Sequence, residues 1–300
     1  MDISVWTYAL LILKFVSYLS TSMVVGYAFI FSIGETLLLK EGIWPRSGIR
    51  QYCRVGLFAG VISALLQVPF LVLYFADSGI GGLSNNFMWQ LVWSGSEASV
   101  TQIRLFAIGL VALSLFLSKS VNQWFVISAK ALCVTGALML VYSYSLRGHL
   151  AQASILGSSI LAIHVLILTL WAGSLWPLQR ACLQLDSTSL GFLMSRFGIY
   201  AQVPVLLLVV SGIYLVTQLL DNWTTLYQTT YGLLLSLKLL FVCSLLSIAA
   251  WHRFWLVPAL IHSRASATRL AFSIRCEIAL VVFIFLITAI FTTVTGPANH

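Results

Sequence analysis

The chain has 300 residues, of which 60% are hydrophobic and only 8% are charged, and its formal net charge is +8. Soluble domains are about 45–50% apolar and about 25% charged, because polar groups must face the water. A chain this apolar cannot cover its own surface in water, so the composition excludes a soluble protein and indicates that lipid is its solvent.

Long apolar runs bounded by charged residues predict eight membrane-spanning helices. They lie near residues 5–32, 54–76, 103–118, 123–145, 154–177, 198–220, 231–253 and 273–294. An apolar helix of about 20 residues is long enough to cross a bilayer. The first run is too long for a secretory signal and has no basic segment before it, so we expect it to stay in the membrane. The predicted fold is an all-α, polytopic transmembrane helix bundle forming a single integral membrane domain over residues 1–300.

Basic residues are concentrated in alternate connections between these spans. They follow the first, third, fifth and seventh spans: Lys40, Arg46, Arg50, Arg54, Lys119, Arg180, Arg196, Arg253, Arg264, Arg269 and Arg275. The opposite connections are assigned only two basic residues, Arg104 and Arg147, together with Asp2, Asp77, Glu97 and Asp221. Cytoplasmic loops are the ones enriched in Lys and Arg. We therefore predict that both termini lie outside the cytoplasm.

Two histidines are the strongest candidates for a site inside the bundle. His164 lies near the middle of the fifth span, and His149 lies at the outer end of the fourth span. Ionisable side chains are costly in lipid and usually functional. An imidazole there can bind a metal, carry a proton or simply pack and donate a hydrogen bond, and imidazole suits copper, zinc and iron. His252 and His262 are interpreted as solvated residues at the cytoplasmic face.

Soft sulfur ligands are a second possibility. Met23 and Met139 lie in the first and fourth spans, and thioethers bind Cu(I). The methionines form no closely spaced cluster, so plain packing is favoured. The five cysteines are scattered singly and predict no disulfide framework.

Other charged residues within the spans are given structural roles. Lys14, Lys130 and Lys238 could pair with acids, backbone carbonyls or a substrate anion, and Lys130 and Lys238 are expected to bond carbonyl oxygens or to face a hydrated cavity. Glu277 is predicted to form an ion pair with Arg253 or Arg275 near the cytoplasmic face.

Sequence motifs for nucleotide binding, serine hydrolysis and zinc proteolysis do not occur in the chain. We therefore expect a protein that is not an enzyme and that does not bind nucleic acid.

A series of short motifs over residues 148–295 resembles the CopD family of bacterial inner-membrane copper proteins. The series comprises Gly148-His149, Ile163-His164, Trp171-Ala172-Gly173-Ser174-Leu175, Arg196-Phe197, Ser211-Gly212-Ile213-Tyr214, Tyr231-Gly232, Leu237-Lys238-Leu239, Arg253, Leu256, Pro258, Arg275 and Glu277. Each motif is weak alone, and their order and spacing carry the resemblance. One departure is found in the first span, where Lys14-Phe15-Val16-Ser17 places a serine at the position of a histidine common in that family.

The resemblance implies a multi-pass protein of the bacterial inner membrane that moves or handles copper. It implies an outward-facing copper site at His149 and His164, with Met23 and Met139 as possible soft ligands. A periplasmic copper-binding protein would be a partner, besides the copper ion and the lipid bilayer. Two alternatives remain open: a haem-binding membrane oxidoreductase, and a structural subunit without an ion path.

Overall fold

The computed structural model describes residues 4–34, 46–147, 154–219, 224–260 and 264–294. Its helices are α1 (Val5–Phe29), α2 (Arg46–Ala76), α3 (Asn86–Ser94), α4 (Ser96–Leu117), α5 (Gln123–Ser145), α6 (Ile155–Gln184), α7 (Ser187–Tyr200), α8 (Gln202–Leu219), α9 (Thr225–Gln228), α10 (Thr230–Trp251), α11 (Val257–Ala259) and α12 (Arg264–Thr293). Turns of π-helix extend α1 over Ile30–Gly34 and α10 over His252–Leu256, and a 3₁₀ turn covers Gly79–Ser84. The described residues contain no strand, so the predicted all-α class is confirmed.

In the part of the chain that the structure describes, eight helical segments are long and apolar enough to cross a membrane, as predicted. They are Val5–Ser32, Gly48–Ala76, Ser96–Leu117, Gln123–Ser145, Ile155–Gln184, Gln202–Leu219, Thr230–Ala259 and Ser266–Thr293. The centres of most predicted spans agree with these segments, but several of the predicted spans are too short. The helices continue through or past charged residues such as Arg54, Arg104 and Arg180, near which the predicted spans were ended. Long basic side chains can extend towards an interface while their backbone remains helical.

Side-chain caps explain where several helices begin. Ser4, Asn85, Asn122, Ser154, Asp186 and Thr229 each accept hydrogen bonds from backbone N–H groups of the first turn that follows. These N–H groups have no partner within the helix, and Ser, Thr, Asn and Asp are the residues that satisfy them best. The caps fix the starts of α1, α3, α5, α6, α7 and α10.

Helix α1 occupies the centre of the bundle and packs against α2, α5, α6 and α12. Its contact with α6 is the tightest: a Cβ atom added to Gly26 would overlap the backbone of Gly173, and one added to Gly173 would overlap the Ser22 carbonyl. Small residues allow membrane helices to approach this closely and gain dispersion contacts. Gly173 thus gives the Trp171–Leu175 motif a packing role.

Helices α8 and α10 lie at the periphery. Helix α8 packs mainly on α6, and α10 packs mainly on α12. The protein buries 11% of the membrane-spanning window of α10, against 50% of that of α1. Their outward faces carry large apolar side chains suited to lipid, among them Leu206, Val210, Ile213 and Leu240.

The bundle has two chemically different ends. The end where α1 begins and α12 finishes is called the terminal end. The opposite end carries most of the basic residues, including Arg54 and Lys119, and there Arg50 Nη2 donates to the Ser118 carbonyl across 3.2 Å. It is called the basic end.

Candidate functional site

His164 lies on α6 and faces α8. Its Nδ1 atom is 3.0 Å from the Ser211 hydroxyl, and its Cε1 atom is 3.4 Å from where a Cβ of Gly212 would be. Ser211 Oγ also lies 2.6 Å from the carbonyl oxygen of Leu207, which can only accept a hydrogen bond. Because a hydroxyl has one proton, Ser211 donates to Leu207 and accepts from Nδ1–H of His164. This tautomer leaves the Nε2 lone pair of His164 available to a ligand.

His164 is the tenth residue of α6 and lies about 14 Å from the start of that helix by helical rise. Lys238 of α10 is close enough to interact with it electrostatically. A cation bound at Nε2 would therefore feel repulsion from a charged Lys238, which favours weak binding.

The structure places the other predicted ligands apart from His164. Met23 of α1 packs against α2, since a Cβ on Gly56 would lie 2.8 Å from the Met23 Cβ. Met139 of α5 is partly buried and packs against the central apolar core. His149 lies outside the described residues. Within the described ranges, no group of three or more His, Cys, Asp or Glu side chains is arranged to hold a metal ion.

Arg104 corrects the sequence interpretation most clearly. It was assigned to a connection, but it is buried inside α4 with 5% exposure. Its Nε donates to Ser143 Oγ at 2.9 Å, its Nη1 lies 3.4 Å from Gln67 Oε1, and its guanidinium covers the Tyr144 ring at 4.5 Å. The side chain thus joins α2, α4 and α5 towards the terminal end.

Two further cations lie close to Arg104. Arg147 forms an ion pair with Glu97, and Lys14 donates to the Thr292 carbonyl at 2.7 Å. Lys14 interacts electrostatically with Arg104, Arg147 and Glu97. These four residues are called the terminal charge cluster. Lys14 thus contacts a backbone carbonyl, one of the partners that the sequence left open for it, whereas Lys130 Nζ lies 6.0 Å from the Phe31 ring centre and not at a carbonyl as expected.

Ser17, which stands at the position of a family histidine, adjoins this cluster. It is buried, and its hydroxyl lies 3.1 Å from Tyr144 Oη. Thr21 lies 3.0 Å from the same Tyr144 oxygen. Ser17 thus takes part in a hydrogen-bond network of hydroxyl groups between α1 and α5.

The predicted partner of Glu277 is wrong. Glu277 Oε1 lies 3.1 Å from Nδ1 of His252, whose Nε2 is 2.6 Å from Ser273 Oγ. Arg275 is exposed, and because it lies two positions before Glu277 it faces a different side of α12. The Arg253 guanidinium packs over Gly198. His252 is accordingly mostly buried and is not the solvated residue expected from the sequence.

The buried position of Arg104 did have a sequence signal. Thr101, Ala107, Ile108 and Val111 lie three, four and seven residues from it and are buried with it. Positions with this spacing share one helix face. A face of small and β-branched residues centred on an arginine indicates a helix that continues past the charge.

Comparison with known proteins gives one result. No curated protein and no solved structure matches the chain. Residues 192–291, which cover α8, α10 and most of α12, match the family described as copper resistance protein D. The match includes Ser211 and Glu277, whereas His164 and His149 precede it. The similarity predicted from the sequence is therefore confirmed for this third of the chain, which relates it to the copper resistance protein D family of membrane proteins.

Proposed function

We propose that the protein handles copper at the bacterial inner membrane, transporting the ion or maintaining its balance, and that it is not an enzyme. The observation that carries the proposal is the oriented imidazole of His164. Ser211, within the matched family region, accepts a hydrogen bond from Nδ1–H of His164, which leaves Nε2 to bind a copper ion as cargo. Neutral imidazole nitrogen is a good ligand for copper.

The described donors favour transient binding. A single imidazole that experiences the charge of Lys238 is a weak site, and an ion that is transported must be able to leave each site it visits. His149 would supply an earlier site towards the outside, where a periplasmic copper-binding protein would deliver or receive the ion. Met23 and Met139 pack in other parts of the bundle and would act at other steps.

A haem between two histidines is less well supported. The described histidines are His164 and His252, and they lie on α6 and at the basic end of α10. Bis-histidine haem ligation needs two imidazoles on facing helices at similar depth. An absorption spectrum of the purified protein without a haem band would agree with the copper proposal.

The decisive test replaces single histidines. We expect His164→Ala to abolish copper handling, His149→Ala to weaken it, and His262→Ala, as the control, to leave it unchanged. Cellular copper accumulation and Cu(I) titration of the purified variants are the measurements. If His164→Ala binds copper and changes cellular copper as the parent does, His164 is a packing residue and the proposal fails.

A further inference from the structure

The terminal charge cluster holds an excess of positive charge. Lys14, Arg104 and Arg147 interact with one another, and Glu97 is the single carboxylate among the described residues that interacts with Lys14 and Arg147. Three cations and one anion leave a net charge of +2. Charges inside a membrane protein are costly unless they are paired.

The N–H donors of the cluster outnumber their acceptors. Arg104 has five N–H bonds, and its described hydrogen bonds use Nε and Nη1. Nε of Arg147 is buried and meets no acceptor in the described part of the chain. The Lys14 ammonium has three protons and donates one to Thr292. The unused donors are suited to additional acceptor oxygens.

Helix ends compensate only part of this charge. Helix α5 ends at Ser145 and α12 ends at Thr293, beside the cluster. The C-terminal end of a helix is equivalent to about half an elementary negative charge. Two such ends would supply about one negative charge against a net charge of +2. Among the residues that the structure describes, an excess positive charge therefore remains.

We propose that Lys14, Arg104 and Arg147 bind a phosphate-type oxyanion at the terminal end of the bundle. A guanidinium group donates two parallel N–H bonds to a phosphate, and lysine adds a compact charge. The side chains of Arg147 and Glu97 are 19% and 24% exposed, which opens the cluster towards the terminal end. Inorganic phosphate and the phosphate of a lipid headgroup offer the same chemistry. This site is separate from His164 and does not depend on the copper proposal.

The test measures thermal unfolding of the whole protein in a neutral detergent by tryptophan fluorescence. Inorganic phosphate is titrated against chloride at constant ionic strength, and phosphatidylglycerol is titrated against phosphate-free diacylglycerol. A rise in Tm with inorganic phosphate identifies a free anion as a sufficient ligand. A rise with phosphatidylglycerol alone identifies a lipid headgroup.

Variants separate binding from folding. Lys14→Gln and Arg147→Gln each remove one charge-assisted contact, so the apparent affinity should fall about tenfold. Lys119→Gln removes an exposed charge at the basic end and should leave the affinity unchanged. Glu97→Gln removes the competing carboxylate but keeps an acceptor for Arg147, so it should bind the anion several-fold more tightly. A merely structural Glu97 would instead lower Tm without strengthening binding.

Two results would overturn the proposal. One is the absence of any Tm shift with both phosphate and phosphatidylglycerol. The other is a shift that is equal in the parent, Arg147→Gln and Lys119→Gln, which would indicate a general salt or detergent effect.

Discussion

Ser211 determines which nitrogen of His164 carries the proton. Its own proton is donated to Leu207, so its oxygen can only accept from Nδ1–H of His164. Groups that orient a ligating histidine typically change metal affinity by about 10–100-fold when they are removed. The hydroxyl, rather than the volume of the side chain, is what the proposed copper site needs.

We predict that Ser211→Ala weakens Cu(I) binding about tenfold while the protein remains folded. Ser211→Thr keeps the hydroxyl and should retain most of the affinity. Isothermal titration of both variants measures the difference. Equal affinity of the alanine variant and the parent would show that His164 needs no orienting group, or that copper binds elsewhere.

Glu277 belongs to a buried polar group whose members a sequence does not identify. His252 Nδ1 contacts the carboxylate, and Ser273 contacts the other ring nitrogen. A similar depth in the membrane favoured Arg253 and Arg275 as partners, but the face of α12 and the π-helical turn at His252 select the histidine. Which residue pairs with Glu277 depends on how the helices pack together, and a local sequence pattern does not contain that information.

We expect Glu277→Ala to lower the stability of the protein by about 1–3 kcal/mol, because the buried Nδ1 of His252 loses its polar contact. Glu277→Gln retains an acceptor oxygen and should lie much closer to the parent. Melting temperatures in detergent provide the comparison. A stable Glu277→Ala protein that had lost copper handling alone would assign Glu277 to function.

At the scale of helices, the apolar runs predicted the eight spans well, because a span must be apolar over its whole lipid-facing length. The ends were predicted less well. Charged residues were taken as boundaries, yet Arg104 continues α4 in a buried, hydrogen-bonded position. The sequence also did not indicate the terminal charge cluster, because its members come from three distant stretches of the chain.

The contact between α1 and α6 permits a sharp test. Gly173→Leu should strongly reduce the yield of folded protein, because its side chain would overlap the α1 backbone at Ser22. Gly109→Leu is the matched control, since a Cβ on Gly109 meets nothing within 4 Å. Detergent-solubilised yield and size-exclusion profiles measure the effect. Similar behaviour of the two variants would contradict the close approach.

At the scale of the whole molecule, the uneven distribution of basic residues predicts the orientation of the chain in the membrane. Arg54 and Lys119 lie at the basic end, whereas Glu97 lies at the terminal end. The predicted orientation follows from this asymmetry and not from the fold, which is equally compatible with either direction. It remains a prediction.

We predict that a reporter fused after His300 is exposed outside the cytoplasm and that one inserted next to Arg264 is cytoplasmic. Alkaline phosphatase fusions at both points, with a cytoplasmic fluorescent reporter as the reciprocal control, measure this. A cytoplasmic C-terminus would reverse the scheme and place the terminal charge cluster on the inner side.

The glycine contact between α1 and α6 also limits how the protein can move. Where the backbones touch at Gly26 and Gly173, a Cβ atom would clash, so we expect sliding to be opposed because it would bring residues with a Cβ into this contact. Transport cycles in helical membrane proteins need some element that rocks or shifts. In the transport that we propose, α1 and α6 would act as the static frame and the displacement would fall to α8 and α10, which each pack mainly on one neighbour. His164 is attached to the frame and Ser211 to a peripheral helix, so the cycle would make and break their contact.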